Sequence, residues 1–244
     1  MKQLVFGSDG GNSTRRDLDQ GEPSPMDALF SAPDAAGVIG YSPADITRLW
    51  QQLRTCLQDY FNTASEELDY PRVVAIQTHQ LLDSIKQLPE FRRQLQKAKS
   101  RSRYDHLWHR QRFAFDSVME AELVTVYGEQ STPLHSYDGP VGIIYVLDGE
   151  LTVGRYTEIN NAISACSGIT KLNCQTINRY RYSQGTLIDS ISAPVVELQA
   201  NAERCVFLNI HLIDLPSHPH YCYYPSYISR ENRQFFTRRV TAEW

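Results

Sequence analysis

From Glu120 onward the apolar residues of this chain recur at every second position, in short runs separated by Gly, Asp, Asn and Pro. That is the period of a β-strand, whose side chains alternate between two faces. "EAELVTVY" (120–127) alternates like a half-buried strand. "GIIYVL-DG-ELTVGRY" (142–156) reads as two strands joined at Asp148-Gly149, a dipeptide that favours a tight two-residue hairpin. "TINRYRYSQG", "TLIDSI", "VVELQ" and "RCVFLNIHLID" follow as further short strands. Many short strands punctuated by turn residues predict an antiparallel sandwich or closed barrel.

The first half of the chain has a different period. Ser42 suits a helix N-cap, Pro43 the first helical position, and Asp45 the positive end of the helix. Ile46, Leu49, Trp50, Leu53, Leu57 and Phe61 then recur at helical spacing. A second helix is expected near Pro71, with Val74, Leu81, Leu82 and Ile85 as its apolar stripe. A third is expected from about Pro89, carrying Phe91 and Leu95. Residues 7–36 are rich in Gly, Ser, Asp and Pro without periodicity, which is the composition of a flexible leader. The expected organisation is a leader over 1–41, a helical cap over 42–110, a β-barrel over 111–216, and a C-terminal extension over 217–244 that packs on the barrel.

Six basic residues lie between Arg92 and Arg103. They could face a polyanion or simply be solvated. The formal charge of the chain is −4 and no aromatic residues interleave the run, so a solvated face is the expectation. No strong pull toward nucleic acid or a membrane follows from that charge. No apolar run approaches the ~20 residues of a membrane helix, and the apolar stretch of "MKQLVFGSDGG" is short for a secretory signal. Cys56, Cys166, Cys174, Cys205 and Cys222 are odd in number and form no C-x-x-C pair. A disulfide framework is not expected, and a reducing, cytoplasmic setting is.

Two period-two stretches carry the candidate chemistry. His135 and Tyr137 point the same way. So do Cys205, Phe207, Asn209, His211 and Ile213, while Val206, Leu208, Ile210 and Leu212 form a uniformly apolar opposite face. Either face could be the inward one. The mixed face would line a polar cavity, whereas an inward apolar face is the usual arrangement in a small barrel. In "NRYRY", Asn178, Tyr180 and Tyr182 alternate with Arg179 and Arg181. His218, His220 and Cys222 stand at alternate positions, and Asp138, Glu150 and Glu158 are further carboxylates that could complete a metal site. No nucleophile elbow, phosphate-binding loop or zinc-protease helix motif is present. Cys205 needs a thiolate-stabilising neighbour to act as a nucleophile, and His211 is too far along the strand to serve.

The stretch "GEQSTPLHSYDGPVGIIYVLDGELTVGRY" (128–156) resembles the first cupin motif, and more closely that of the thiol dioxygenases of the cysteine dioxygenase family. "TLIDSISAPVVEL" and "CVFLNIHLIDLP" resemble two later motifs of that family in the right order, and "RY" at Arg103-Tyr104 fits the segment before the barrel. The resemblance covers about residues 42–216. It implies a mainly β fold: a cupin-type antiparallel jelly-roll barrel with an N-terminal helical cap.

The family binds ferrous iron through three histidines. Carried over, the first falls on His135, the second on Tyr137 and the third on Pro194, whose side chain cannot ligate a metal. The arginine that holds the substrate carboxylate falls on His106. The family's Ser-His-Tyr set falls on Asn209, His211 and Ile213, and its cross-linking cysteine on Gly142. One imidazole does not hold iron at a site that needs about three protein ligands.

Three readings follow. The favoured one is a metal-independent enzyme of isomerase, cyclase or lyase type acting on a small metabolite. His135, Tyr137 and His211 would be its catalytic residues, and Tyr104, His106, Asn209 and Tyr145 would bind substrate, with no cofactor. The second is an iron thiol dioxygenase with unusual ligands. The third is a barrel that binds a small molecule or partner chain without catalysis.

Overall fold

The computed structural model describes residues 43–63, 70–101, 108–128, 131–137, 139–159, 169–213, 221–229 and 234–241. The leader, Ser42, Tyr104, His106, Asp138, Cys166, His218 and His220 lie outside them. Three helices come first: α1 (Pro43–Thr63), α2 (Tyr70–Ile85) and α3 (Pro89–Ser100). Eleven strands follow among the described residues. The chain is mainly β, with two antiparallel sheets under a helical cap, as the sequence implies.

One sheet has five strands in the order β1 (Trp108–Phe115), β2 (Met119–Tyr127), β9 (Arg204–Leu212), β4 (Val141–Asp148) and β7 (Gly185–Asp189). The other contains β3 (Leu134–Ser136), β8 (Val195–Ala200), β5 (Glu150–Ile159), β6 (Ile169–Arg181), β11 (Gln234–Thr241) and β10 (Tyr221–Ser229), and it closes on itself because β10 also pairs with β3. The segment after residue 216 thus supplies two strands of this sheet.

Asp148-Gly149 does not make a hairpin. β4 pairs with β7 and β9, whereas β5 pairs with β6 and β8, so the chain changes sheets at this dipeptide. A register shift interrupts the β4–β9 ladder between Val146 and Asp148. Gly149 then takes φ +78°, and a Cβ there would approach Arg204 O to 2.6 Å. The local sequence is right for a sharp reversal, but the neighbours of β4 are already taken.

Both faces of the five-stranded sheet are buried. Leu49, Leu53 and Leu57 of α1, Leu81 and Leu82 of α2 and Phe91 of α3 pack on one face. That face presents Ala121 and Leu123 from β2, Ile143 and Tyr145 from β4, and Val206, Leu208, Ile210 and Leu212 from β9. The other face turns toward the second sheet with Val124, Val126, Ile144, Val146, Cys205 and Phe207, met by Leu151, Val153, Tyr180, Val196 and Leu198. The mixed face of β9 is therefore the barrel interior, because the helices already cover the apolar one. For the same reason β2 is buried along its whole length rather than on one side.

Asp116, in the turn between β1 and β2, ties α1 to the sheet. Its Oδ2 accepts from Trp50 Nε1 at 2.9 Å and Arg54 Nη1 at 3.1 Å, and its Oδ1 accepts from the backbone N–H of Val118 and Met119.

A third buried cluster lies on the opposite side of the second sheet from the main interior, among β3, β5, β6, β8 and β10 where that sheet closes on itself. β6 carries one extra residue, Gln175, opposite the step from Arg155 to Tyr156. Such a bulge turns the following side chains to the other face. Leu172 and Cys174 of β6 then meet Tyr156, Val195, Leu134 and Tyr223 outside the main interior. Tyr156 Oη donates to Glu197 Oε2 at 2.7 Å, and Tyr223 Oη donates to Glu158 Oε1. Tyr182, expected to continue the face of Tyr180, stands in the turn after β6 and is 62% exposed.

Candidate functional site

The polar residues of the interior gather at one end of it. Tyr137 follows β3, and its backbone N–H donates to Pro194 O at 2.9 Å. Its Oη donates to Asn209 Oδ1 at 2.7 Å. Asn209 Nδ2 faces His211 Nδ1 at 3.3 Å, and the Tyr137 and His211 rings meet edge to face at 6.1 Å. All three residues are buried. Because Asn209 presents its amide N–H₂ to Nδ1, that nitrogen accepts and the neutral ring carries its proton on Nε2. Two glycines make room for the array. A Cβ at Gly142 would strike Tyr137 Oη and approach Ile210 O at 2.6 Å, and one at Gly139 would approach His211 Cδ2 at 3.2 Å.

His135 is on β3, two residues before Tyr137. It pairs with Val196 of β8 and with Cys222 of β10, and directly paired residues share a face, so its side chain is on the side of the interior residue Val196. Its Nδ1 is 2.8 Å from Pro133 O. A carbonyl only accepts, so Nδ1 carries the proton and the lone pair of the neutral ring is on Nε2. Trp108 of β1 packs edge-on against the ring at 4.9 Å. The Nδ1 partners of the two rings thus differ in kind: a carbonyl for His135 and an amide for His211.

Four charged residues that the sequence reading passed over border the same end. In the β2–β9 register Glu120 stands opposite His211 and Glu122 opposite Asn209, and both glutamates are buried. Each is matched from β1. Arg110 Nε donates to Glu122 Oε2 at 2.9 Å, and Arg112 donates through Nε and Nη2 to the two oxygens of Glu120. The Arg110 guanidinium also lies 5.9 Å over the Trp108 ring. The signal was present as R-x-R in "HRQRF" and E-x-E in "MEAEL". Two like charges at strand spacing share a face, and their partners lie on the next strand.

Tyr145 is not part of this site. Strand alternation puts it on the helix-facing side of β4, where His79 packs edge-on at 5.5 Å and Lys86 Nζ lies 5.5 Å over its ring. Burial there pushes its phenol up to about 12. Cys205 faces the interior, but burial, with Asp148 and Glu150 nearby, raises its thiol far above the ordinary range, so it is no nucleophile. Burial also raises Cys222. Cys56, Cys174, Cys205 and Cys222 are all outside disulfides.

Among the described residues no three His, Cys, Asp or Glu side chains converge as metal donors. The Tyr137 hydroxyl donates to Asn209, and the Pro194 carbonyl accepts from the Tyr137 backbone N–H. No helix of the described residues is long and apolar enough to cross a membrane.

No family model matches the chain, and no curated protein matches it. Solved structures do. A cupin superfamily protein from Desulfitobacterium hafniense is 14% identical over 48% of this chain and 87% of its own, with a TM-score of 0.34. A mutant of Bacillus subtilis oxalate decarboxylase is 16% identical over 43% of this chain, with a TM-score of 0.31, and the match spans 24% of that protein. A conserved protein of unknown function from Streptococcus pyogenes is 12% identical over 46% of this chain and 79% of its own, with a TM-score of 0.32. At these scores the likenesses carry nothing about activity or ligand, and the fold is read from the strand order itself.

Proposed function

We propose that this chain is a cupin-type enzyme of the isomerase, cyclase or lyase class. It acts on a small carbonyl metabolite by general acid–base chemistry without a metal, at a site where a cysteine-dioxygenase-like barrel has exchanged its iron ligands. The observation that carries this reading is the different partners of Nδ1 in the two buried histidines, Pro133 O for His135 and the Asn209 amide for His211. His135, with Nδ1–H committed to Pro133 O, has Nε2 as the base. His211, with Nδ1 facing the Asn209 amide, has Nε2–H as a donor for a developing oxyanion. Tyr137 orients Asn209, and through it His211. The Arg110–Glu122 and Arg112–Glu120 pairs border that end while largely cancelling each other's charge.

The test is solvent deuterium exchange at carbons adjacent to the carbonyl. Chelator-treated protein would be incubated in D₂O with a panel of small keto and hydroxy-keto acids, with NMR detection. Exchange that is lost in His135→Gln and unaffected by chelator is the expected result. Turnover that requires added ferrous iron and oxygen would replace this reading with the oxygenase one. Saturable binding with no exchange would make the barrel a binding module.

A further inference from the structure

We propose that the end of the five-stranded sheet next to α3 binds a small tetrahedral oxyanion of the phosphate type, through Thr125, Tyr127, Arg204 and Arg101. Thr125 and Tyr127 continue the helix-facing side of β2 that begins with Leu123. Tyr127 pairs directly with Arg204 of β9, and Thr125 with His109 of β1, so all four share that face. Arg101, the residue after α3, donates from Nη1 to His109 Nε2. Register and this bond thus bring two guanidiniums beside two hydroxyls. The place is separate from the polar interior, to which β2 turns Val124 and Val126 instead.

Two observations point to a ligand. Thr125 is 1% and Tyr127 4% exposed, and neither hydroxyl has a hydrogen-bond partner. Buried hydroxyls are nearly always satisfied. The two are close enough to act on each other, but they do not meet at hydrogen-bonding geometry. The second observation is charge. Burial raises the Tyr127 phenol, and Arg101 and Arg204 oppose that rise, so both guanidiniums are felt at the hydroxyl. Neither arginine forms an ion pair with a carboxylate among the described residues. Asp148, opposite Val206, is held by Lys99 Nζ at 3.0 Å. An occupant that satisfies these groups accepts from two hydroxyls and carries negative charge for two guanidiniums. The donors stand on β2, on β9 and after α3, so they approach from different directions. That suits a tetrahedral anion better than a planar carboxylate, which presents its two oxygens in one plane. Arg101 is exposed and Arg204 partly so, which makes the outer wall two long side chains that turn aside to admit the anion.

The experiment is calorimetric titration of the full chain, in phosphate-free buffer, with inorganic phosphate, glycerol 3-phosphate and acetate. Tyr127→Phe and Arg101→Gln are titrated alongside. Saturable one-to-one binding of phosphate is expected, about tenfold weaker in each folded variant, as loss of one hydrogen bond to a charged group implies. Phosphate should raise the melting temperature of the parent. Without phosphate, Tyr127→Phe should melt at or above the parent, because it deletes a hydroxyl that makes no hydrogen bond. Tighter binding of glycerol 3-phosphate would identify a phosphate monoester as the ligand, and equal binding free phosphate. Acetate bound as tightly as phosphate overturns the tetrahedral assignment. A lower melting temperature for Tyr127→Phe overturns the proposal, because the hydroxyl would then be partnered within the protein. So does phosphate binding that is unsaturable or unchanged in either folded variant, which marks an adventitious ion only.

Discussion

Tyr137 and Asn209, 72 positions apart in the chain, meet through a 2.7 Å hydrogen bond that is closed off from solvent. This bond fixes which end of the Asn209 amide faces His211, and so which nitrogen of His211 carries its proton. Removing only the hydroxyl leaves Asn209 Oδ1 buried without that donor. Tyr137→Phe is therefore expected to lower stability by about 1–2 kcal/mol. Urea denaturation of the two proteins at neutral pH reads the difference, and an unchanged midpoint would mean that Asn209 turns to another partner at no cost. If the proposed chemistry is right, the same variant loses deuterium exchange while binding to the site persists.

Gly142 is held to a hydrogen side chain by Tyr137 Oη, Ile210 O and His211 Cβ together. Two of these neighbours are backbone or Cβ atoms that cannot swing away. Gly142→Ala is expected to cost about 3 kcal/mol or more through overpacking. A variant as stable as the parent in thermal denaturation would show that the polar array has slack.

The Arg110–Glu122 pair is only partly screened, with Glu122 9% and Arg110 28% exposed at the side chain. Breaking it from either side strands a charge in a poorly solvated place. Glu122→Leu and Arg110→Met are each expected to destabilise by about 1–3 kcal/mol, and the double variant by less than their sum. A coupling of about 1–2 kcal/mol in a double-mutant cycle is the expected outcome. Strict additivity would make the pair an incidental surface contact.

Asp116 supplies a pH dependence whose sign follows from its neighbours. Burial raises its pKa, but the hydrogen bonds from Trp50, Val118 and Met119 and the charge of Arg54 outweigh burial, so the folded value is lowered. A carboxyl depressed by folding contributes fully above its unfolded pKa of about 3.9 and loses that contribution as pH falls through the folded value. The parent should therefore lose stability below about pH 4 more steeply than Asp116→Asn, and the two curves should converge in acid. Parallel curves from pH 7 to pH 3 would remove Asp116 from the link between α1 and the sheet.

The sequence by itself determined the periods: helical spacing up to about Ser100, strand spacing after Glu120, and from these the two-part architecture and the pairing of side chains on each face of β9. Those are local properties, written within a few residues of each position. His135, Tyr137, Asn209 and His211 were legible as candidates because alternation alone puts Asn209 and His211 on one face.

Which face of β9 turned inward was decided only by the tertiary structure, since the helices from the first half of the chain bury the apolar side and leave the mixed side for the interior. The same covering sent Tyr145 to the helices, while Glu120 and Glu122, paired with His211 and Asn209, share the opposite face and are buried there. Asp148-Gly149 reads locally as a hairpin, yet it became a passage between sheets because β7 and β9 flank β4 on both edges. A strand has two faces and two edges. The sequence states what each face carries, and only the neighbours brought by the rest of the chain decide which faces and edges meet water.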